Sequence, residues 1–502
     1  MNSFWIDSTK DALTFPKLQT NCKADVCIIG AGIFGLTTAY YLSKQGINVV
    51  ILEKDFIGSK TSGHTTAKIT SQHGLIYKHF IDDYGTNFAK SYLDANEEAI
   101  KNIANIVEEE NINCDFEYQS NFVYSDDLEN LNKVKSEVEA VKKLGFSANF
   151  LTNLNVPFSY NGAIEFTNQA QFHPRKYMLG LCQSIINNNG KIFENTTVYD
   201  VKKDDSLYCI KTNNFNVTCK YVVLASHYPF INIPGFYFTK MYQDTSYIIA
   251  IDPKDNLFDG MYISSASPVF SFRTMIDNNK KLLLIGGAGH KTGEKVNFES
   301  TYGILEAKAK ELYPNYETLY RWNTRDCITL DKIPYAGNFS KIMPNIYVGT
   351  GFNKWGMTSS NVAANIVSDK ILNKQNKYSD IFSATRMRPI KNRWEVKNIL
   401  KQSATSLVFN KLKSFPDQIL SVENNSGKIL EIDGDKVGIY KDSDGNIYAV
   451  NPICTHLGCL LSWNNVDKTW DCPCHGSRFN FKGENIYDPA IKNLDFIKLN
   501  LQ

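Results

Sequence analysis

The stretch Val26-Cys27-Ile28-Ile29-Gly30-Ala31-Gly32-Ile33-Phe34-Gly35 decides the fold of the larger part of this chain. An apolar run enters Gly-x-Gly-x-x-Gly and passes into Leu36-Thr-Thr-Ala-Tyr-Tyr-Leu42, which is compatible with a helix. A second apolar strand, Ile47 to Leu52, ends at Glu53. Strand, glycine turn, helix and strand predict a βαβ unit. The glycines allow a tight turn and close approach of the backbone to a pyrophosphate, which sits on the positive end of the helix. Glu53 is then placed to accept from a ribose hydroxyl pair.

The choice of dinucleotide follows from two further stretches. Gly58-Ser-Lys-Thr-Ser62-Gly63-His64-Thr65-Thr66-Ala67-Lys68 is small and rich in hydroxyls, and can lie along an extended ligand as far as its ring system. Far downstream, Asn345-Ile-Tyr-Val-Gly349-Thr-Gly351-Phe352-Asn-Lys-Trp-Gly356-Met357-Thr358 predicts another strand, glycine loop and helix, the helix running from Met357 to Leu372. A helix N-terminus there can stabilise negative charge on a reduced flavin ring. Both stretches favour FAD over NAD.

Near the other end the chain reads Cys454-Thr-His456-Leu-Gly-Cys459 and then Cys472-Pro-Cys474-His475-Gly-Ser477. Paired cysteines and histidines at this spacing can hold a [2Fe-2S] cluster asymmetrically, two thiolates on one iron and two imidazoles on the other. A zinc site would also accept Cys and His, but it has no need of the paired Cys459 and Cys474 or of the Leu-Gly and Gly-Ser surrounds.

These residues resemble those of Rieske proteins. The resemblance implies that Cys454, His456, Cys472 and His475 bind the cluster, that Cys459 and Cys474 form a disulfide clamping the two loops, and that the Ser477 hydroxyl bonds to a cluster sulfide and raises the potential. Phe479 stands where the high-potential members have tyrosine, so a lower potential is expected. Residues 20 to 375 resemble the D-amino-acid oxidase and glycine oxidase superfamily, within which a smaller group carries a fused C-terminal Rieske domain. That resemblance implies FAD contacts from Gly30, Ala31, Gly32, Ile33, Phe34 and Gly35, from Glu53 and Lys54, and from Ser62, Gly63, Thr65, Thr66 and Ala67. It also implies contacts from Val198, Ala225 and Ser226, and from Gly351, Phe352, Gly356, Met357 and Thr358.

The expected fold is an α/β FAD-binding Rossmann-like domain with an interleaved α+β substrate domain, followed by an all-β Rieske domain. The oxidoreductase spans 20–375, with FAD-binding parts at about 20–75, 190–230 and 325–375 and substrate-side parts at about 76–189 and 231–324. A basic helical linker at 376–418 leads to the Rieske domain at 419–502. Short alternating runs and Asp-Gly turns beyond Ser421 fit a small antiparallel β fold.

Superfamily members oxidise amines and amino acids, often with an arginine holding the substrate carboxylate. Arg325 lies in the matching region, one residue further than usual from Asp331, and Arg273, at the end of a predicted strand, is its rival. A structural ion pair explains either equally well. His64 and Lys68 lie in the loop expected near the reactive end of the flavin and could relay a proton; a helix-start hydrogen bond and a solvated lysine are the alternatives.

In the 502-residue chain, 54 basic side chains oppose 52 acidic ones, which gives nucleic-acid binding no electrostatic support. The 43% hydrophobic content suffices for several cores. Seven of the 11 cysteines are scattered, which fits reduced thiols. The opening residues carry no basic, apolar leader, so the expected location is cytoplasmic, with peripheral membrane contact through 385–414 as a further option. That segment holds Arg386, Arg388, Lys391, Arg393, Lys397, Lys401, Lys411 and Lys413 against Glu395 alone. Apolar residues recur there at near-helical spacing. A connecting helix, an anionic membrane surface, or an acidic carrier such as a ferredoxin or flavodoxin would each use it.

A flavin takes two electrons together and a cluster takes one at a time. The combination predicts a dehydrogenase for an amine or amino acid that passes electrons singly through the cluster to an external acceptor, a carrier protein or a quinone. An electron carrier or redox sensor without a small-molecule substrate is the alternative. Inward flow from a reduced carrier is another. Flow from NAD(P)H would need a second nucleotide fold, for which Leu284-Ile-Gly286-Gly287-Ala-Gly289 is the best stretch.

Overall fold

Val26, Cys27 and Ile28 are fully buried and Ile29 nearly so, because the strand Cys22–Ile29 lies inside a sheet covered on both faces. The computed structural model describes residues 3–294, 298–386, 422–432 and 435–497. Strand Cys22–Ile29 pairs in parallel with Asn216–Leu224 on one side and Val49–Leu52 on the other. Ile346–Thr350 and Lys191–Phe193 extend the sheet in parallel at either end, and Tyr335–Asn338 adds an antiparallel edge. Helix Ile33–Ser43 leaves the glycine turn and buries almost every residue against helices Gly356–Ile371 and Pro174–Asn187. The 24-residue helix Thr86–Glu109 packs on Gly356–Ile371 from outside, so helices from the expected substrate part share one core with the nucleotide sheet.

A second sheet of nine strands is mostly antiparallel. Its order runs from Glu317–Thr329 through Met241–Asp252, Lys280–Lys291, Phe270–Asp277 and Met261–Ser264 to Glu117–Ser125, Gly162–Gln171 and Lys68–Ile69. Two of these strands cross the expected part boundaries. Lys68–Ile69 pairs with Gln171 and Ala170, and Glu317–Thr329 runs four residues beyond position 325 while remaining paired to Met241–Asp252. The stretch Gly286-Gly287-Ala-Gly289 lies within the antiparallel strand Lys280–Lys291, where no helix start follows it, so it forms no second nucleotide turn.

The C-terminal region is all β. Ser426–Ile432, Asp435–Lys441 and Ile447–Val450 make one sheet; Ser462–Asn464, Thr469–Asp471, Arg478–Asn480 and Asn485–Tyr487 make another. Most of the expected basic linker, including Arg388 to Lys413, lies outside the described residues. Arg386, counted with that basic face, is instead committed to Asp331 through a bidentate pair at 2.8 and 2.9 Å, with its guanidinium 3.8 Å above the Tyr335 ring. Among the described residues no helix is long and apolar enough to cross a membrane.

Candidate functional site

The glycine turn opens onto a cavity. Gly30 has φ +111°, and a Cβ there would collide with the Ala225 carbonyl; a Cβ on Gly35 would collide with the carbonyl of Gly30. Strand, turn and helix therefore close on one another only with glycine at both positions. Helix Ile33–Ser43 has Gly32 as its N-cap and no side-chain cap. Its start is steadied from outside by Ser62, whose hydroxyl accepts the Ile33 N–H at 3.1 Å. Glu53 accepts the N–H groups of Ala31 at 2.8 Å and Asp55 at 3.0 Å, and burial pushes its carboxyl up to about 7.

Of the residues expected at FAD, Gly30, Gly32, Ile33, Phe34, Glu53, Lys54, Ser62 and Thr65 line this cavity. Val198, Ala225, Ser226, Phe352, Gly356 and Met357 line it too. An uncapped helix start, hydroxyls along the wall and a carboxylate at the strand end suit a phosphate-bearing dinucleotide. The remaining expected contacts stand one layer back. Ala31 and Gly35 hold the turn as described, and Gly63 packs against the Gly58 carbonyl. Thr66 faces Gly286, and Ala67 is buried at φ 54°. Gly351 faces the Thr329 methyl, and Thr358 donates to the Thr70 carbonyl at 3.0 Å.

None of the four catalytic candidates lines the cavity. The Arg273 guanidinium donates to the backbone carbonyls of Thr66, Ala67, Phe172 and Thr274 at 2.8–3.2 Å and lies over Trp5, beside a separate small pocket. It holds loops together. Lys68 is buried, donates to the Tyr262 carbonyl and the Ser271 hydroxyl at 2.6 Å, and is pulled well below its ordinary pKa by burial. His64 bonds through Nδ1 to the Lys60 carbonyl at 2.8 Å, and burial lowers it to about 4. Arg325 pairs with Asp467 of the C-terminal region at 3.2 Å.

The next residues on the Arg325 strand, Asp326 and Cys327, do face the cavity, together with His227 and Lys354. Burial raises the Asp326 carboxyl to about 6. Burial likewise lowers His227 to about 4, and its Nε2 is buried without a hydrogen bond. Lys354 pairs with Asp244 at 3.0 Å. Asp326 and Lys354 both lie in stretches singled out from sequence.

The cluster loops are held by short backbone bonds, Cys454 N–H to the Cys459 carbonyl at 2.8 Å and Cys472 N–H to the Ser477 carbonyl at 2.8 Å. A disulfide joins Cys459 to Cys474. Cys459, Cys472 and Cys474 form the tightest group of potential metal ligands among the described residues, but two of those sulfurs are spent in the disulfide. Cys454 and Cys472 remain as free thiols near each other. In the same two loops, His475 has both ring nitrogens, and His456 its Nδ1, buried without a hydrogen-bond partner. The two rings are 5.0 Å apart. Orphaned buried nitrogens are costly, and coordination to iron satisfies one on each ring. The donor set fits a two-thiolate, two-imidazole cluster.

The histidine side of these loops rests on the N-terminal part. His456 Nε2 bonds to Asn232 Oδ1 at 2.6 Å, which leaves Nδ1 unprotonated for a metal. The His475 ring lies 6.0 Å from Phe238 and 6.4 Å from Tyr228, next in sequence to the cavity residue His227. Gln243 Nε2 donates to the His475 carbonyl at 2.9 Å and to the Asp488 carbonyl at 3.1 Å. Two glycines of positive φ permit this closeness: a Cβ on Gly476 would meet the Gln243 side chain, and one on Gly293 the backbone of Pro473. At the edge, Asp467 gathers Arg325, Arg478 and Asn323.

Residues 25–370 match the family described as FAD dependent oxidoreductase, and residues 417–498 match the Rieske [2Fe-2S] domain. The protein YhfW of Bacillus subtilis (strain 168), whose name places it with Rieske 2Fe-2S iron-sulfur proteins, is 39% identical over 498 residues, covering 99% of this chain and 98% of its own length. The gamma-glutamylputrescine oxidoreductase of Escherichia coli (strain K12) is 22% identical over 73% of this chain and 88% of its own. Glycine oxidase from Geobacillus kaustophilus superposes with a TM-score of 0.62 at 17% identity, covering 73% of this chain and all of that one, a likeness of fold.

Proposed function

Because the chain belongs to the FAD dependent oxidoreductase family and carries a Rieske [2Fe-2S] domain, we propose that it is a dehydrogenase for a small amine or amino acid that passes electrons one at a time through its cluster to an external acceptor. When bound, FAD supplies hydride acceptance from a carbon bonded to nitrogen, and the cluster supplies single-electron acceptance. The observation that carries the proposal is the placing of the cluster's histidine side against the wall of the flavin cavity. His475 meets Tyr228 beside the cavity residue His227, and Gln243 ties the His475 carbonyl to that of the cavity residue Asp488. That contact serves electron exchange between flavin and cluster in either direction.

The substrate class is supported by the kinds of molecule named for similar proteins, an amine-bearing compound and glycine. Within the cavity, Asp326 is the group poised to take the proton of a protonated amine, its carboxyl being held near 6 by burial. Substrate carboxylate recognition is assigned to Lys354, which lines the cavity and would exchange its Asp244 partner for the substrate, rather than to Arg273 or Arg325, which do not line it. Of the four cluster ligands only His456 is incompletely buried, and its neighbour Leu457 is 39% exposed. An acceptor such as a ferredoxin, a flavodoxin or a quinone would approach there.

Anaerobic mixing with a panel of amines, amino acids and NAD(P)H tests the reading. The flavin absorbance should bleach with an amine or amino acid, and the EPR signal of the reduced cluster should follow. Bleaching by NAD(P)H alone, or bleaching by an amine with the cluster left oxidised, overturns it.

A further inference from the structure

We propose that the segment Asn485–Ile491 of the Rieske domain is part of the FAD site, so that the cofactor is held between two domains and its occupancy is mechanically tied to the cluster loop. The match to the FAD dependent oxidoreductase family ends at residue 370. Yet Ile486, Tyr487, Asp488 and Ile491 line the same cavity as the glycine turn.

The segment is fastened at that cavity by residues that line it themselves. Lys54 Nζ donates to Asn485 Oδ1 at 2.6 Å, and Lys60 Nζ to the Ile486 carbonyl at 3.1 Å. The hydroxyls of Thr61 and Tyr487 are 2.6 Å apart. Two cations approach the Tyr487 ring, the Lys60 ammonium at 5.8 Å and the Arg325 guanidinium at 5.1 Å, with the His227 ring at 6.2 Å and nearly perpendicular to it. These cation–π contacts help hold the ring in place. Tyr487 and Asp488 keep accessible surface although they sit between domains, and that surface faces the cavity.

The other end of the segment is the cluster. Ala490 N–H donates to Ser477 Oγ at 3.0 Å, two residues beyond the ligand His475. Gln243 clamps the Asp488 and His475 carbonyls together. A shift of Tyr487 or Asp488 on loss of cofactor therefore pulls on the bonds that shape the cluster loop, because only Pro489 separates Asp488 from Ala490. This inference rests on the two cofactor assignments and on neither the substrate nor the direction of electron flow.

The test uses the full-length holoprotein, with FAD recovered in the filtrate after dilution as the measure of release and iron and sulfide content as the control. Tyr487→Ala should release FAD at least tenfold faster than wild type at full cluster content. Tyr487→Phe, which loses only the hydroxyl contact to Thr61, should stay within threefold. Removing FAD from wild type should shift the EPR g-values of the dithionite-reduced cluster. Release by Tyr487→Ala within twofold of wild type at full cluster content overturns the assignment of the wall. Unchanged g-values on FAD removal overturn the mechanical tie. Should Tyr487→Ala lose its cluster, Ile491→Ala, which removes only apolar wall, decides by the same rate.

Discussion

Two segments border the flavin cavity from opposite ends of the chain, Gly30–Gly35 and Asn485–Ile491, and they are built in opposite ways. The first is a recurrent device: it is recognisable because its glycines meet backbone constraints that any dinucleotide turn shares. The second has no motif. Its place in the cavity depends on two lysines, a threonine and a tyrosine brought together from distant positions. A cofactor site can thus have one wall fixed by local geometry and another fixed only by domain docking.

The largest effect expected is separation of the two cofactors. Cys472→Ser should abolish the cluster's visible and EPR signals, while the FAD-to-protein ratio stays above half of wild type and a bleaching substrate still bleaches the flavin. Reduction of a one-electron acceptor should fall by more than tenfold. Complete loss of FAD would mean that the docked wall matters as much as the glycine turn.

Within the first wall, Gly30→Ala should yield protein nearly free of FAD. It forces a side chain into φ +111° and against the Ala225 carbonyl, each costing about 1–3 kcal/mol. Gly32→Ala, at φ −80° with its Cβ facing only the movable Ser62 hydroxyl among protein atoms, should keep the turn's fold and lose FAD only through the methyl it adds where the pyrophosphate approaches, a smaller loss than Gly30→Ala. Flavin absorbance of the purified proteins measures the contrast.

The docked wall should prove weaker. Asp467→Asn leaves Arg325 without its charged partner but keeps Arg478 on Asp471, so a loss of about 1–2 kcal/mol is expected in denaturant unfolding. The loss should be accompanied by faster FAD release.

A pH series sharpens the comparison further. The folded FAD-free chain holds the Glu53 carboxyl near 7, above the ordinary carboxylate value, so it favours the protonated form. This stability contribution is full below the ordinary value and is lost as pH rises through about 7. FAD hydroxyls favour the ionised form, so affinity should climb with pH by up to about tenfold per unit toward 7 and then level. Glu53→Gln should flatten the profile, as followed by fluorescence titration. The smallest effect is expected from Arg273→Lys, which should leave substrate KM within twofold of wild type because its guanidinium serves the carbonyls of Thr66, Ala67 and Phe172.

Much of the architecture was legible in the chain. The βαβ unit, the helix from Gly356 and the cysteine and histidine loops each rest on short-range patterns whose physics is local. The catalytic candidates were not. Arg325 and Asp326 are adjacent, yet one reaches the Rieske domain and the other the cavity. Lys68 belongs to a two-residue strand of the second sheet, paired to Gln171, which draws its side chain toward Tyr262 and Ser271. Side-chain direction at a domain junction is set by what docks there.

The sequence by itself determined the two cofactors, because glycine turns and metal-ligand spacings are constraints on neighbouring residues. Only the tertiary structure decided that His475 meets Tyr228, next to the cavity residue His227, and that Tyr487 of the Rieske domain lines that cavity. That outcome depends on Gln243, Gly293 and Asp467 meeting partners hundreds of residues away or in another domain, and such contacts leave no periodic trace in the chain.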